Sequence, residues 1–460
     1  MLEDIFFRIL SRIKRIQKTS EFDRKLLKAS KFTNIQSAKD LVIKYPNEPR
    51  ASLLLAERLF KNHEEKFLDE LQTYNIKRKK YLQNSRLDEE DFEFIKPNIF
   101  CGALGVYFHL FVFINSMKIG LKKNKKIYCM MERNKFTNKY FSKFFDDKLI
   151  KFFYKKRDTI QFIEKEKNLF NPIGFCQPLD NFCYNTPFTY NILLNTLIKN
   201  EKNFSYFSIP DRDKQLGKDT LEKLGIPNNA WYVTCHIREP GWSGEDFENS
   251  NQMIRNADPK TYYKAFKFIR EVGGYVIRVG NNYMKKLDKI ENVIDYAHSD
   301  FKSEFMDVFL GATSKFSIVT SSGYSSIPAT FGVPILHTNQ LPTSAVFQCN
   351  LQDLYLPKLI SKNHKILSID DTYIPNYTTL TDDSSFKKFG LSFTNNTDDE
   401  ILQATKEMFR MVFENRNYDD ENSEIKKQIS NNFKKHNLRC RTNFSPYFIK
   451  KHYKRSINEN

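Results

Sequence analysis

Three arginines, a carboxylate and a serine–glycine turn recur along residues 231–340 at places where they could hold a phosphate. Arg238, Arg278 and the turn Ser321-Ser322-Gly323-Tyr324 each follow a short apolar run, and Arg255 lies in the loop after the first run. Arginine offers phosphate oxygens a planar, permanently charged fork. A serine–glycine turn where a strand hands over to a helix adds backbone N–H groups and hydroxyls, and Gly323 allows close approach. Gly280 belongs to the same rim, two residues past Arg278. Asp295 suits either a ribose hydroxyl or pairing with an arginine. Glu239 and His236, close to Arg238, are the two candidates for taking a proton from an attacking hydroxyl.

Five elements must position these groups. The runs Trp231–Cys235, Gly274–Gly280, Asn292–Tyr296, Phe316–Thr320 and Val333–His337 are short, β-branched and bounded by Gly or Pro, as strands buried on both faces are. Two gaps hold helix-period segments: Pro259–Glu271, with Tyr262, Tyr263, Phe266 and Ile269, and Phe301–Ala312, with Phe305, Met306, Phe309 and Leu310. Alternating strands and helices predict an α/β fold with a parallel sheet and right-handed crossovers. Ligands of such sheets sit at the carboxyl ends of the strands, where Asn339 joins the residues above. Pro328 makes the helix expected over about 324–331 short or irregular.

In order, His236-x-Arg238, Arg255, Tyr262, Val276-Ile277-Arg278-x-Gly280, Asp295-Tyr296, Met306-Asp307 and Ser321-Ser322-Gly323 resemble a family of bacterial glycosyltransferases associated with surface-polysaccharide gene clusters. The likeness covers roughly residues 215–455. It implies a GT-B-like fold of two Rossmann-like domains with parallel sheets facing a cleft. It also implies a nucleotide-sugar donor, a glycan or lipid-linked acceptor, and a C-terminal helix that crosses back to the first domain. The His-x-Arg start is similar to inverting fucosyltransferase-like enzymes, so inversion is expected. Basic residues can stabilise the departing diphosphate, so no metal or other cofactor is expected. The resemblance leaves the choice between Glu239 and His236 open. Two alternatives are a nucleotide-sugar-modifying, epimerase-like enzyme on the same scaffold, and a non-enzymatic protein that binds polyanions or a membrane surface.

The 460 residues give room for two or three domains. The expected division is a helical segment over 1–95, a Rossmann-like acceptor-side domain over 96–207, a nucleotide-sugar-binding domain over 211–425, and a basic tail over 426–460 that packs back on the acceptor side. Net charge is +18, yet residues 231–350 balance twelve Lys and Arg with twelve Asp and Glu. A neutral core with basic flanks fits a membrane-surface enzyme better than a nucleic-acid binder, and no specific nucleic acid is expected. Residues 2–18 place Leu2, Ile5, Phe6, Ile9, Ile13 and Ile16 on one helical face ringed by Arg and Lys. That pattern suits an anionic lipid surface or an ordinary packing helix.

Seven scattered cysteines without a Cys-x-x-Cys pair indicate a reducing compartment. No apolar run reaches the roughly 18–20 residues that cross a bilayer, so a cytoplasmic protein, peripheral at the inner face of the membrane, is expected. Asp211-Arg212-Asp213 reads as a helix start rather than a metal-binding Asp-x-Asp. No Gly-x-Gly-x-x-Gly follows a strand, which argues against a Rossmann oxidoreductase. Ala103–Met117 suits either the first helix of the acceptor-side domain or a buried helix. Residues 136–207 show no clean periodicity, and beyond Gln340 the prolines 342, 357 and 375 predict loops up to a helix at Asp399–Phe413.

Overall fold

The computed structural model describes residues 35–61, 92–95, 104–118, 126–131, 137–145, 150–154, 176–179, 182–185, 205–240, 252–341, 352–374, 382–432 and 443–453, with scattered residues over 21–29 and 66–80 and at 377 and 380. The helix expected over 2–18 lies outside the described residues. The chain divides into two units. The first comprises 1–97, 124–132 and 151–189. It holds α1 (Ile35–Lys44), which buries Ala38 and Leu41, and α2 (Pro49–Lys61). A three-stranded sheet runs in the order β1 (Phe92–Ile95), β2 (Lys126–Met131), β3 (Ile150–Tyr154), with β1 and β2 parallel. β4 (Cys176–Leu179) and β5 (Phe182–Asn185) form an antiparallel pair.

The second unit, 98–123, 133–150 and 190–460, carries the predicted sheet. All five expected strands are present: β6 (Tyr232–His236), β7 (Tyr275–Arg278), β8 (Val293–Ile294), β9 (Ser317–Val319) and β10 (Ile335–Gln340). Two more join them, β11 (Leu354–Pro357) and β15 (Asn443–Phe444). The seven strands run in the order β15-β11-β10-β9-β6-β7-β8, and every pairing is parallel. Val233, Cys235, Ile277, Ile318, Ile335 and Leu354 are fully buried in it, which is why these strands read as apolar runs rather than alternating ones.

Helices cover the sheet. α3 (Gly105–Lys118) falls where the apolar run predicts a helix and encloses Tyr107, Phe108, Leu110 and Phe111. The short α4 (Lys139–Ser142) is capped by Asn138. α5 (Asp211–Lys223) starts at the Asp-x-Asp stretch, where Asp213 accepts a hydrogen bond from the Tyr140 hydroxyl at 2.7 Å. Pro259–Glu271 begins as one 3-10 turn and continues as α6 (Tyr263–Glu271). α7 (Glu304–Thr313) is capped by Ser303, whose hydroxyl accepts from Met306 N. Pro328 has the expected effect: a 3-10 turn, Gly323–Ser325, leads into the five-residue α8 (Ser326–Thr330).

The loops expected after Gln340 are replaced by structure. Besides β11, the strands β12 (Leu359–Lys362), β13 (Lys365–Ile366) and β14 (Leu391–Thr394) form an antiparallel sheet, with α9 (Ile369–Thr372) and α10 (Asp383–Lys388) between β13 and β14. Their apolar side chains close over Ile254, Leu341, Leu380 and Phe386. α11 (Asp398–Phe413), with a Thr397–Glu400 capping box, matches the predicted helix. α12 (Asp419–Asn432) follows it. The described part of the basic tail is built into this same unit: β15 pairs with β11, and α13 (Pro446–His452) lies against α11, with Glu407 accepting from Ser445 Oγ at 2.6 Å and Tyr447 N at 2.8 Å. Among the described residues no helix is long and apolar enough to cross a membrane.

Candidate functional site

The strand order reverses direction between β6 and β9, because β7 and β8 lie on one side of β6 and the remaining strands on the other. Crevices at such switch points, outside the carboxyl ends, are where open α/β sheets bind ligands. The two strand ends meet there: Arg238 N donates to Thr320 Oγ1 at 2.8 Å. Over this point lies a cavity of about 320 Å³. Arg238, Arg255, Ser322, Gly323 and Tyr324 line it, as do His236 and Gly280. So do six residues for which the sequence suggested no site role: Leu104, Thr137, Asn281, Met284, Lys302 and Asp307. Asp307 stood in the motif string, and its place in the first turn of α7 was the available signal.

Arg238 and Arg255 form the cationic side. Arg238 Nη1 donates to Gln252 O at 3.0 Å and also to Asn256 Oδ1, while Nη2 reaches Gln252 Oε1 at 3.2 Å. Arg255 donates from Nε to Ser321 O at 2.9 Å and from Nη1 to Gln252 Oε1 at 2.9 Å. Burial, and then the neighbouring Arg255, push Arg238 down to about 10, still a cation at neutral pH. Burial likewise lowers Arg255. Asp383 pins the turn that carries Arg255, accepting from Met253 N at 2.6 Å and Ile254 N at 3.0 Å. Residues beyond Gln340 therefore aim an arginine that precedes them by more than a hundred positions.

The serine–glycine turn forms the floor. Ser322 Oγ accepts from Tyr324 N at 3.2 Å, and Ser321 Oγ donates to Gln340 Oε1 at 2.9 Å. A Cβ on Gly323 would stand 2.6 Å from Gly105 N, so two backbones touch where α3 begins. Tyr324 is buried and stacks on His236, with ring centroids 5.3 Å apart. Burial first, then the charge of Arg278, pushes His236 down to about 3. The imidazole is thus neutral and can hydrogen-bond, but it is a weak proton acceptor.

Arg278, Glu239 and Asp295 are brought together, but with one another and not around the cavity. Arg278 is wholly buried and donates from Nη2 to Glu239 Oε1 at 2.6 Å and from Nη1 to Asp295 Oδ1 at 2.9 Å. The second oxygens are also engaged: Glu239 Oε2 accepts from Lys285 N at 3.1 Å, and Asp295 Oδ2 from Leu287 N at 3.0 Å. Of the two expectations for Arg278, phosphate or nearby carboxylates, the structure shows the carboxylate pairing, and Arg278 is not among the residues that line the cavity. Glu239 is held as a counter-ion to Arg278, and of the two proton-acceptor candidates His236 is the one among the cavity-lining residues. This cluster fixes the 279–287 loop, which supplies Gly280, Asn281 and Met284 to the wall. Asn339, at φ 49°, is a clip: it exchanges hydrogen bonds with Asn396 at 2.6 and 2.8 Å.

Lys302 and Asp307 form a second polar pair in the cavity, with Nζ 3.0 and 3.1 Å from the two carboxylate oxygens. Burial raises the Asp307 carboxyl while Lys302 lowers it. Among the described residues lining the cavity, Asp307 is the one carboxylate. Among the described residues no group of His, Cys, Asp and Glu has a metal-binding arrangement.

No family model matches the chain, and no curated protein matches it. Solved structures similar to it include a glycosyl transferase family 9 structure from Veillonella parvula, 10% identical over 54% of this chain and 80% of that one, with a TM-score of 0.33. Another is the E. coli ADP-heptose lps heptosyltransferase II, 8% identical over 69% and 98%, with a TM-score of 0.37. A third is the iron-containing dodecameric glycosyltransferase TibC of enterotoxigenic E. coli, 12% identical over 65% and 75%, with a TM-score of 0.32. At these identities and TM-scores the likeness bears on neither substrate nor mechanism.

Proposed function

We propose that this chain is a glycosyltransferase: it takes a sugar from a nucleotide-sugar donor and delivers it to a glycan or lipid-linked acceptor in bacterial surface-polysaccharide synthesis. The observation that carries this is a cavity at the sheet's switch point whose lining joins Arg238, Arg255 and the Ser322-Gly323 turn. Such a lining suits a diphosphate. In the transfer, the acceptor oxygen bonds to the anomeric carbon as that carbon's bond to the diphosphate oxygen breaks, and the hydroxyl proton passes to solvent water or to the released diphosphate. The leaving charge then falls on the diphosphate, which the two arginines are placed to stabilise without a metal. Inversion at the anomeric carbon is part of the proposal. His236, neutral, is suited to a hydrogen bond with a hydroxyl rather than to holding a charge. The basic excess outside residues 231–350 supports a site of action at the inner face of the cytoplasmic membrane.

A thermal-shift panel of nucleotides and nucleotide sugars on wild type and Arg255→Ala tests the donor site. A nucleoside diphosphate at about 100 times its Kd should stabilise wild type by roughly 2.7 kcal/mol. Loss of one charged hydrogen bond, about 1.5–3 kcal/mol, should weaken the variant tenfold or more. A wild type indifferent to the whole panel would sink the donor reading. Donor consumption without any acceptor would point to an epimerase-like enzyme. Affinity for nucleic acid that falls steeply with salt, with no sugar preference, would point to polyanion binding.

A further inference from the structure

The cavity contains a pair that a diphosphate cannot use. The Lys302 and Asp307 side chains are 29% and 24% exposed, so both can be reached by a ligand. They stand at the start of α7, with Lys302 Nζ bridging both carboxylate oxygens. Arg238 follows β6, Arg255 ends the 3-10 turn Met253–Arg255, and Ser322 and Gly323 stand in the turn after β9, all elements other than α7. His236, also in the lining, feels the charges of both Arg238 and Lys302. A phosphate beside Asp307 would be repelled by the carboxylate. A cationic group would meet Lys302 and the two arginines. A hydrocarbon would strip water from an ion pair and return nothing. A neutral group dense in hydroxyls is different, because each hydroxyl can donate to the carboxylate or accept from the ammonium.

Accepting the donor-site proposal above, we infer that Asp307 and Lys302 form the subsite that grips the hydroxyls of the donor sugar, while Arg238 and Arg255 hold its diphosphate. The cavity lining thereby offers two arginines for the phosphates and a carboxylate–ammonium pair for the sugar. The other titratable groups that act on Asp307 include Tyr296, whose hydroxyl hydrogen-bonds the carboxylate and whose ring lies 5.6 Å from Lys302 Nζ, together with Tyr324 and Glu304. Tyr296 is buried, and its hydroxyl is shared between Ser303 O at 3.3 Å and the Asp307 carboxylate, whose two oxygens have lone pairs enough to accept from a ligand hydroxyl as well.

The test compares affinity for UDP, GDP and ADP with affinity for UDP-glucose, UDP-galactose, GDP-mannose, GDP-fucose and ADP-glucose, measured calorimetrically on the full chain. Wild type should bind one nucleotide sugar at least tenfold more tightly than its parent nucleotide. In Asp307→Asn that preference should fall by about tenfold to a hundredfold, the loss of one or two charge-assisted hydrogen bonds. Lys302→Met should lose it as well. Affinity for the parent nucleotide should stay within about twofold in both variants, which also certifies that each is folded. If Asp307→Asn keeps the full sugar preference, or if wild type binds a nucleotide but prefers none of its sugars, the subsite is overturned and the donor site stands. If wild type binds no nucleotide at all, the donor-site proposal falls and takes the subsite with it.

Discussion

Replacing Arg278 with methionine separates the two roles that an arginine at a strand end can have. Its guanidinium is fully buried and its two terminal nitrogens end on Glu239, itself 3% exposed, and on Asp295. Methionine roughly matches the stem but leaves both carboxylates without their cation in an apolar setting. Removing one member of a buried ion pair costs about 3–5 kcal/mol, chiefly the penalty on the stranded charge. At about 2.1 cal/mol/K of unfolding entropy per residue, a unit of roughly 300 residues loses about 1.5 °C per kcal/mol, so melting should fall by roughly 5–8 °C. Nucleotide affinity, measured well below melting, should change little, because the cavity is lined by Arg238 and Arg255 instead. Adding Glu239→Gln should recover part of the stability, since it removes one of the two stranded charges. The assay is calorimetric melting of the single and double variants, paired with nucleotide titration at 20–25 °C, about the reference temperature of these magnitudes. If Arg278→Met melts within about 1 °C of wild type, far inside the expected fall, yet loses nucleotide affinity more than about tenfold, the guanidinium meets the ligand and the ion-pair cluster is incidental.

Two further substitutions probe the floor and the support of the cavity. Gly323→Ala would drive a Cβ to 2.6 Å from Gly105 N, a backbone atom that cannot swing aside; overpacking of this kind costs about 1–3 kcal/mol, and nucleotide affinity should fall with it. Gly390→Ala, at φ 66° with nothing within 4 Å, is the control: about 1 kcal/mol of strain and unchanged nucleotide titration. Lys358 is wholly buried, donating to Asn256 O at 2.9 Å and Asn395 Oδ1 at 2.6 Å, and burial pushes its ammonium down to about 7. Its folded value lies below its unfolded one, so the unfolded chain holds the proton over a range where the native state does not, and stability rises with pH from about 7 towards about 10.5. Between pH 7 and 9 the urea-unfolding free energy of wild type should therefore gain on that of Lys358→Met by about 1 kcal/mol per pH unit; a gap that does not move would mean that Lys358 keeps one protonation state in both forms.

What the sequence reveals here depends on how local the cause is. β6, β7, β9 and β10 are buried on both faces, so their apolar runs announce them whatever surrounds them. β11 carries the same kind of residues, Leu354-Tyr355-Leu356, but ends on Pro357, which cannot donate to a ladder. The strand exists because β10 slips register after His337 and Lys358 N, rather than Pro357, donates to Gln340 O at 2.8 Å. β15 is two residues long and is held by Asn422, whose amide bonds Phe444 N and O at 2.7 and 3.1 Å. Neither cause is visible in a window of ten residues.

The same distinction decides the site. That Arg238, Arg255 and Arg278 stand at a parallel sheet's carboxyl rim follows from the order of runs and turns. Which way each fork faces does not. Arg278 sits opposite Cys235 in the β6–β7 register, and Glu239, only four residues past Cys235, reaches it first; a sequence shows the arginine and the glutamate but not their opposition. Arg255 has no such carboxylate and instead spans Gln252 and Ser321, on a turn held from outside by Asp383. One arginine is therefore consumed in building the wall while another of the same type and setting lines the cavity. The difference lies in long-range contacts of 39 and about 130 residues' separation. For that reason the Arg278 and Arg255 variants should part company, the first losing stability and the second losing ligand.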